Sequence, residues 1–131
     1  MKDTGILMAV SSLPGPYGAG DLGDEAIRWI DLLAGSGVGV WQLLPLGPTG
    51  YGNSPYQTYS ARAGDPLYLS LAALHQAGLL GELPAPFGLP AGRVDYEQVR
   101  ALREPWLRRA YEAFRPDGAY AAFAAQGWVR D

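Results

Sequence analysis

Val38-Gly39-Val40-Trp41-Gln42-Leu43-Leu44-Pro45-Leu46-Gly47-Pro48-Thr49-Gly50-Tyr51-Gly52-Asn53-Ser54-Pro55-Tyr56-Gln57 begins as a buried strand and leaves as a long aromatic loop. The apolar run from Val38 to Leu44 is stopped by Pro45, and from there on three prolines and three glycines alternate with Thr, Tyr, Asn, Ser and Gln. Proline fixes φ and glycine admits unusual φ, so a loop of this composition is shaped rather than floppy. In a parallel sheet, the loop leaving the C-terminal end of a strand is where sites are built. This one carries Tyr51, Asn53, Ser54, Tyr56 and Gln57. Flat rings beside neutral hydrogen-bonding groups suit a neutral polyhydroxylated ligand.

Upstream, Gly5 to Val10 is continuously apolar and then meets Ser11-Ser12-Leu13-Pro14-Gly15-Pro16, the pattern of a strand covered on both faces. Between the two strands, Gly23-Asp24-Glu25 supplies a cap and acids for a helix N-terminus. Ala26, Ile27, Trp29, Ile30, Leu33 and Ala34 then recur at helical spacing, which predicts a helix over 24–34 ended by Gly35 or Gly37. The order is strand, loop, helix, strand: a parallel pair with a crossover helix. Downstream, Ser60 to Pro66 is a turn segment, and Ser70 caps a short helix from Leu71 to Ala77. Gly81 to Gly92 is an irregular connector rich in Pro and Gly. Asp95 caps a helix with Val99, Leu102, Trp106, Ala110, Ala113 and Phe114 at steps of three and four. Pro105 lies inside it and predicts a kink or break near Arg103-Glu104. A last helical piece, Tyr120 to Ala125, is expected to stop at Gly127.

With 131 residues there is room for one core, and ten basic against thirteen acidic residues form no basic stripe. That argues against nucleic acid or an anionic membrane as partner and for an uncharged ligand. The lack of cysteine excludes disulfides, a thiolate metal site and a cysteine nucleophile, and one histidine leaves little for a metal centre. No cofactor or metal is expected. No apolar run approaches the roughly 20 residues of a membrane span, and the run after Met1 is too short for a signal peptide, so the expected location is the cytoplasm. Only two strands are legible before helices take over, and two parallel strands with one crossover cannot cover both faces of a sheet. The core is therefore expected to be incomplete, completed by a second copy or, as favoured here, by a longer chain of which this is the N-terminal piece.

The run Ser11 to Gly23, Ser-Ser-Leu-Pro-Gly-Pro-Tyr-Gly-Ala-Gly-Asp-Leu-Gly, followed by Trp41 to Gln57, closely resembles the amylomaltases, the 4-α-glucanotransferases also called disproportionating enzymes. The resemblance covers most of the chain but only the N-terminal part of such an enzyme. It implies an α/β fold, the N-terminal part of a TIM (β/α)8 barrel, with a mainly helical insertion after the second strand. Residues 1–66 would hold the first two βα units and the site loop, and residues 67–131 the insertion. The implied partner is a maltooligosaccharide or α-1,4-glucan, together with the remainder of the barrel. The implied reaction passes a glucosyl chain to another sugar through a covalent glycosyl-enzyme, with retention. Its carboxylates would come from later strands, so no catalytic residue is assigned in this chain. Ser54 and Tyr56 match substrate-site residues of the family, and Tyr51 a tyrosine that stacks on glucan further along. Trp41, Gln42, Asn53 and Gln57 are expected to support the loop. Where the family usually has Ala-Phe-Ala-Gly-Asn-Pro, this chain has Ala61-Arg62-Ala63-Gly64-Asp65-Pro66. The added negative charge at Asp65 either bears on a glycosyl cation or turns outward.

Two rival readings come from other classes. Gly18-Ala19-Gly20-Asp21-Leu22-Gly23 is a literal G-x-G-x-x-G between strand and helix, the dinucleotide-binding signature. Ser11 to Tyr17 intervenes where a tight turn is needed, and no acid follows the second strand to hold a ribose. A glucan-binding module without catalysis would use the same aromatics, and continuation of the reading frame past Asp131 distinguishes it from an enzyme. Asp21 and Asp65 are the acids on site-side loops, with no partner legible. His75 receives no role, and Asp24, Glu25, Asp31, Glu97, Glu104 and Glu112 are expected on solvated helix faces and caps.

Overall fold

The expected parallel pair forms in the computed structural model, which describes residues 4–130. Strands β1 (Gly5–Leu7) and β2 (Val40–Gln42) pair in the register Gly5↔Val40, Ile6↔Trp41 and Leu7↔Gln42, joined by helix α1 (Asp24–Gly35). The Gly39 N–H donates to Thr4 and the Met8 N–H to Gln42, extending the ladder at either end. Both strands are shorter than the apolar runs 5–10 and 38–44. Val10–Ser12 coils into a 3-10 turn, with Ser12 N–H donating to Ala9 and Leu13 N–H to Val10. β1 thus turns away and leaves Leu43 and Leu44 without a strand to pair with, while Val10 becomes a core residue at 1% exposure.

The strands are not covered on both faces within this chain. Ile6 and Trp41 are half-buried, and Trp29 of α1 lies edge-on to Trp41 at 6.5 Å between ring centroids. On the sheet, Leu7 and Val40 stay open at 57% and 47% exposure. One crossover helix can cover one face, and α1 itself leaves Ile27, Ile30 and Leu32 exposed.

Among the described residues, four further α-helices follow: α2 (Leu71–Gln76), α3 (Tyr96–Ala113), α4 (Gly118–Ala124) and α5 (Gly127–Arg130). Three start with the side-chain cap their sequence predicts or permits. Ser70 accepts from Ala73 N–H, Asp95 from Gln98 N–H and Asp117 from Tyr120 N–H. α3 runs through Pro105 without the expected break. Pro105 and Ala101, whose carbonyl loses its donor, are both exposed, so water can take that hydrogen bond. Gly127 starts another helical turn instead of ending the last one. No described helix is long and apolar enough to cross a membrane.

The loop after β1 stitches the core together. Leu13 joins Val10 and Ala26 beneath Trp29 and Trp41; Tyr17 joins Leu71, Leu80 and Ala110; Ala19 joins Leu67 and Val99. The irregular connector lies against the same loop, with Phe87 N–H donating to Pro16 and the Phe87 ring edge-on to Tyr17. α2 and α3 therefore pack onto the loop after β1 through Leu71, Val99 and Ala110, whereas α4 buries no residue there.

Candidate functional site

The chain leaves β2 at Gln42 and returns to the core at Leu67, and the loop between them is closed in layers. At its base Asp65 N–H donates to the Leu46 carbonyl at 2.8 Å. Above that, Thr49 and Thr58 form an antiparallel bridge, flanked by Tyr59 N–H to Pro48 and Gly50 N–H to Gln57. The Thr58 hydroxyl lies 2.9 Å from the Pro48 carbonyl and 2.8 Å from that of Ser60. Gly50 packs against the Tyr59 ring, where a Cβ would come within 3.0 Å of the phenol oxygen. These bonds give the loop a defined shape.

At the tip, Tyr51–Asn53 makes a 3-10 turn in which Gly52 (φ 78°) and Asn53 (φ 54°) are left-handed. Asn53 is a residue type that tolerates this region, which accounts for its place in the loop. Tyr51 is 98% exposed and Tyr56 74%. Neither ring packs into the loop. The side chains of Tyr51, Ser54, Tyr56 and Gln57 make no hydrogen bonds to other described residues, so their polar groups are available to a ligand. Trp41 and Gln42, expected to support the loop, bond instead to the end of β1: the Trp41 indole N–H donates to the Met8 carbonyl at 3.0 Å, and the Gln42 carbonyl accepts from Met8 N–H.

Under the loop, at the C-terminal ends of both strands, lies a polar cluster. The guanidinium of Arg100 on α3 grips Asp65 with two bonds, Nη1 to Oδ1 at 2.8 Å and Nη2 to Oδ2 at 2.6 Å, and Nη2 also donates to Thr49 Oγ1 at 3.1 Å. Asp65 Oδ1 further accepts from Leu67 N–H. Burial pushes the Asp65 carboxyl up, but the hydrogen bonds from Arg100 and Leu67 and the Arg100 charge outweigh it and hold the acid below its ordinary value. The same bonds raise Arg100. Nearby, the Ser11 and Tyr96 hydroxyls lie 2.8 Å apart, and burial raises the Tyr68 phenol. One turn along α3, Arg103 is fully buried; its Nη2 donates to the Leu69 carbonyl and to Asp21 Oδ2. Burial lowers Arg103, against the pull of Asp21. Beside the cluster, Ser11 to Pro16, Gly18 and Ala19, the loop tip at Gly52 and Asn53, and the stretch from Gly88 to Glu97 line a broad cleft of about 1080 Å³.

A family model described as 4-alpha-glucanotransferase matches residues 8–131. The chain belongs to the 4-alpha-glucanotransferase family. It is 44% identical over 135 residues to the 4-alpha-glucanotransferase of Thermus thermophilus, covering 97% of this chain and 27% of that protein. To that of Synechocystis sp. it is 49% identical over 117 residues, covering 86% and 23%. Among solved structures, an amylomaltase from Streptococcus agalactiae in complex with acarbose superimposes with a TM-score of 0.84 at 32% identity, over 95% of this chain and 26% of that one. The chain thus spans about a quarter of the length of the relatives it matches.

In this member of the 4-alpha-glucanotransferase family, Asp21 and Asp65 both have partners that local sequence did not show. Asp65 is buried and neutralised by Arg100, while Arg62 is exposed. Asp21 is held between Arg103 and the Gly23 N–H. One signal was present: Arg103 falls on the apolar stripe of α3 between Val99 and Ala110, where only a paired cation is tolerated. The G-x-G-x-x-G run serves packing. A Cβ on Gly20 would lie 2.2 Å from the Val10 carbonyl, and one on Gly23 would lie 2.4 Å from Ser70 Oγ. A phosphate site needs free amides at the helix start, and here Gly23 N–H is already given to the Asp21 carboxylate at 3.0 Å. His75 Nδ1 is bonded to the Leu80 carbonyl, a local tie between α2 and the connector.

Proposed function

We propose that this segment supplies one wall of the sugar site of a 4-α-glucanotransferase, an enzyme that moves α-1,4-glucan segments to glucose or maltooligosaccharide acceptors with retention. The observation that carries the reading is family membership over residues 8–131 combined with the exposed rings of Tyr51 and Tyr56 beside the half-buried Ser54 on a braced loop. Tyr56 and Ser54 orient the sugar next to the scissile bond, and Tyr51 stacks on glucan further along. A homologous amylomaltase is known in complex with acarbose. The nucleophile and acid/base, two carboxyls roughly 5 Å apart in a retaining enzyme, come from residues beyond this segment. The parallel pair is the start of a (β/α)8 barrel whose later strands cover the face carrying Leu7 and Val40. Residues 1–66 form the first two βα units with the site loop, and residues 67–131 a helical insertion.

The test uses the complete protein carrying this segment, incubated with maltotriose, with glucose and longer oligosaccharides as the expected products. Tyr56→Ala should lower kcat/KM on maltotriose by about 10- to 100-fold, since a stacking and orienting contact contributes roughly 1–3 kcal/mol to the transition state. Tyr51→Ala should affect long glucans more than short ones. Unchanged kinetics for Tyr56→Ala removes it from the site.

A further inference from the structure

Arg100 stands outside the aromatic loop, on α3, yet its guanidinium touches both arms of the loop: Asp65 at its base and Thr49 in the bridge above it. The bonds inside the loop, Asp65 to Leu46 and Thr58 to Pro48 and Ser60, fix its shape. They do not fix where it stands. Among the described residues, Arg100 supplies the side-chain hydrogen bonds that tie the loop to a distant element. A planar fork on a carboxylate sets direction as well as distance. The tip rings have no packing of their own, so their position follows the base. Arg100, Thr49, Asn53, Pro55 and Asp65 also line a cavity of about 60 Å³ under the loop, space into which an untethered base can settle.

We propose that Arg100 is a positioning residue for glucan: by joining Asp65 to Thr49 it sets where Tyr51, Ser54 and Tyr56 meet the sugar. This rests on the glucanotransferase reading above. The side chain acts through the loop, so its effect should vanish with the loop residues that touch substrate, which distinguishes positioning from a purely structural role.

The experiment is a double-mutant cycle in the complete protein, with maltotriose as substrate and thermal melting as a parallel readout. Arg100→Met is expected to lower kcat/KM about tenfold, and that loss should shrink at least about threefold when Tyr56 is already alanine. Arg100→Lys, which keeps the charge but not the fork, should recover part of the loss. Thr49→Val, which removes only the second arm, should cost about threefold, and these two variants decide the matter if Arg100→Met does not fold. Equal losses with and without Tyr56, or unchanged kcat/KM in all three Arg100 and Thr49 variants, overturn the proposal while a Tyr56-sensitive enzyme leaves the glucanotransferase reading standing. A wild-type protein that transfers no glucosyl units overturns that reading and the proposal with it.

Discussion

Asn53 holds a left-handed backbone at the loop tip, and the cost of placing other side chains there makes a sharp expectation. Asn53→Gly should leave stability nearly unchanged, whereas Asn53→Val should cost about 1–2 kcal/mol because a β-branched residue crowds its own carbonyl in this region. Urea unfolding of both variants measures the difference. Asp65 gives a second expectation, in pH. Its folded value lies below the ordinary carboxylate value, so its contribution is fully present above about pH 3.9 and is lost as the pH falls through the folded value. Stability of the wild type should therefore drop more steeply than that of Asp65→Asn when unfolding is followed downward from pH 5. A parallel pair of curves would show that the ion pair adds nothing to folding.

α3 is the element that ties the segment together. Val99 and Ala110 face the core, and Arg100 and Arg103, three residues apart, each reach a carboxylate on a different site-side loop. The helix tolerates Pro105 because that position and the carbonyl one turn before it are exposed. Tolerance is not neutrality: an interior proline costs a helix up to about 3 kcal/mol. Pro105→Ala should thus raise stability by about 1–3 kcal/mol without changing sugar binding, read as a higher urea midpoint at constant slope. A drop in stability would mean that the ring makes a contact its exposure hides.

For the molecule as a whole, the open apolar surface decides behaviour. Leu7 and Val40 on the sheet and Ile27, Ile30 and Leu32 on α1 are exposed together with unpaired strand edges. Such surface promotes association. The 131-residue chain by itself should scatter light as oligomers at high concentration, and a clean monomer would count against the barrel reading. It should also be inactive on maltotriose, because both site-side acids are locked in pairs with arginines and neither is free to attack or protonate a glycosidic bond. Its one wall of a cleft should bind glucan no tighter than roughly millimolar, near -4 kcal/mol. Disproportionation by the isolated chain, abolished by Asp21→Asn or Asp65→Asn, would make those acids catalytic.

Local chemistry was enough to mark the elements and the shaped loop after β2. Apolar runs bounded by Pro and Gly marked both strands, Ser70 and Asp95 marked helix starts by the hydrogen bonds they accept, and the alternation of Pro, Gly and aromatics from Pro45 to Gln57 marked a stiff, exposed loop. Those signals act over a few residues and can be read wherever they occur. Strand length was decided by tertiary structure, because a strand ends where its neighbour turns away, as β1 does at Val10. The continuity of α3 through Pro105 depended on exposure, which the helix pattern alone does not supply. Asp65 with Arg100 lies 35 residues apart and Asp21 with Arg103 lies 82. Whether a charge is free, outward or paired is set by what the fold brings within about 3 Å of it, and no local pattern carries that distance.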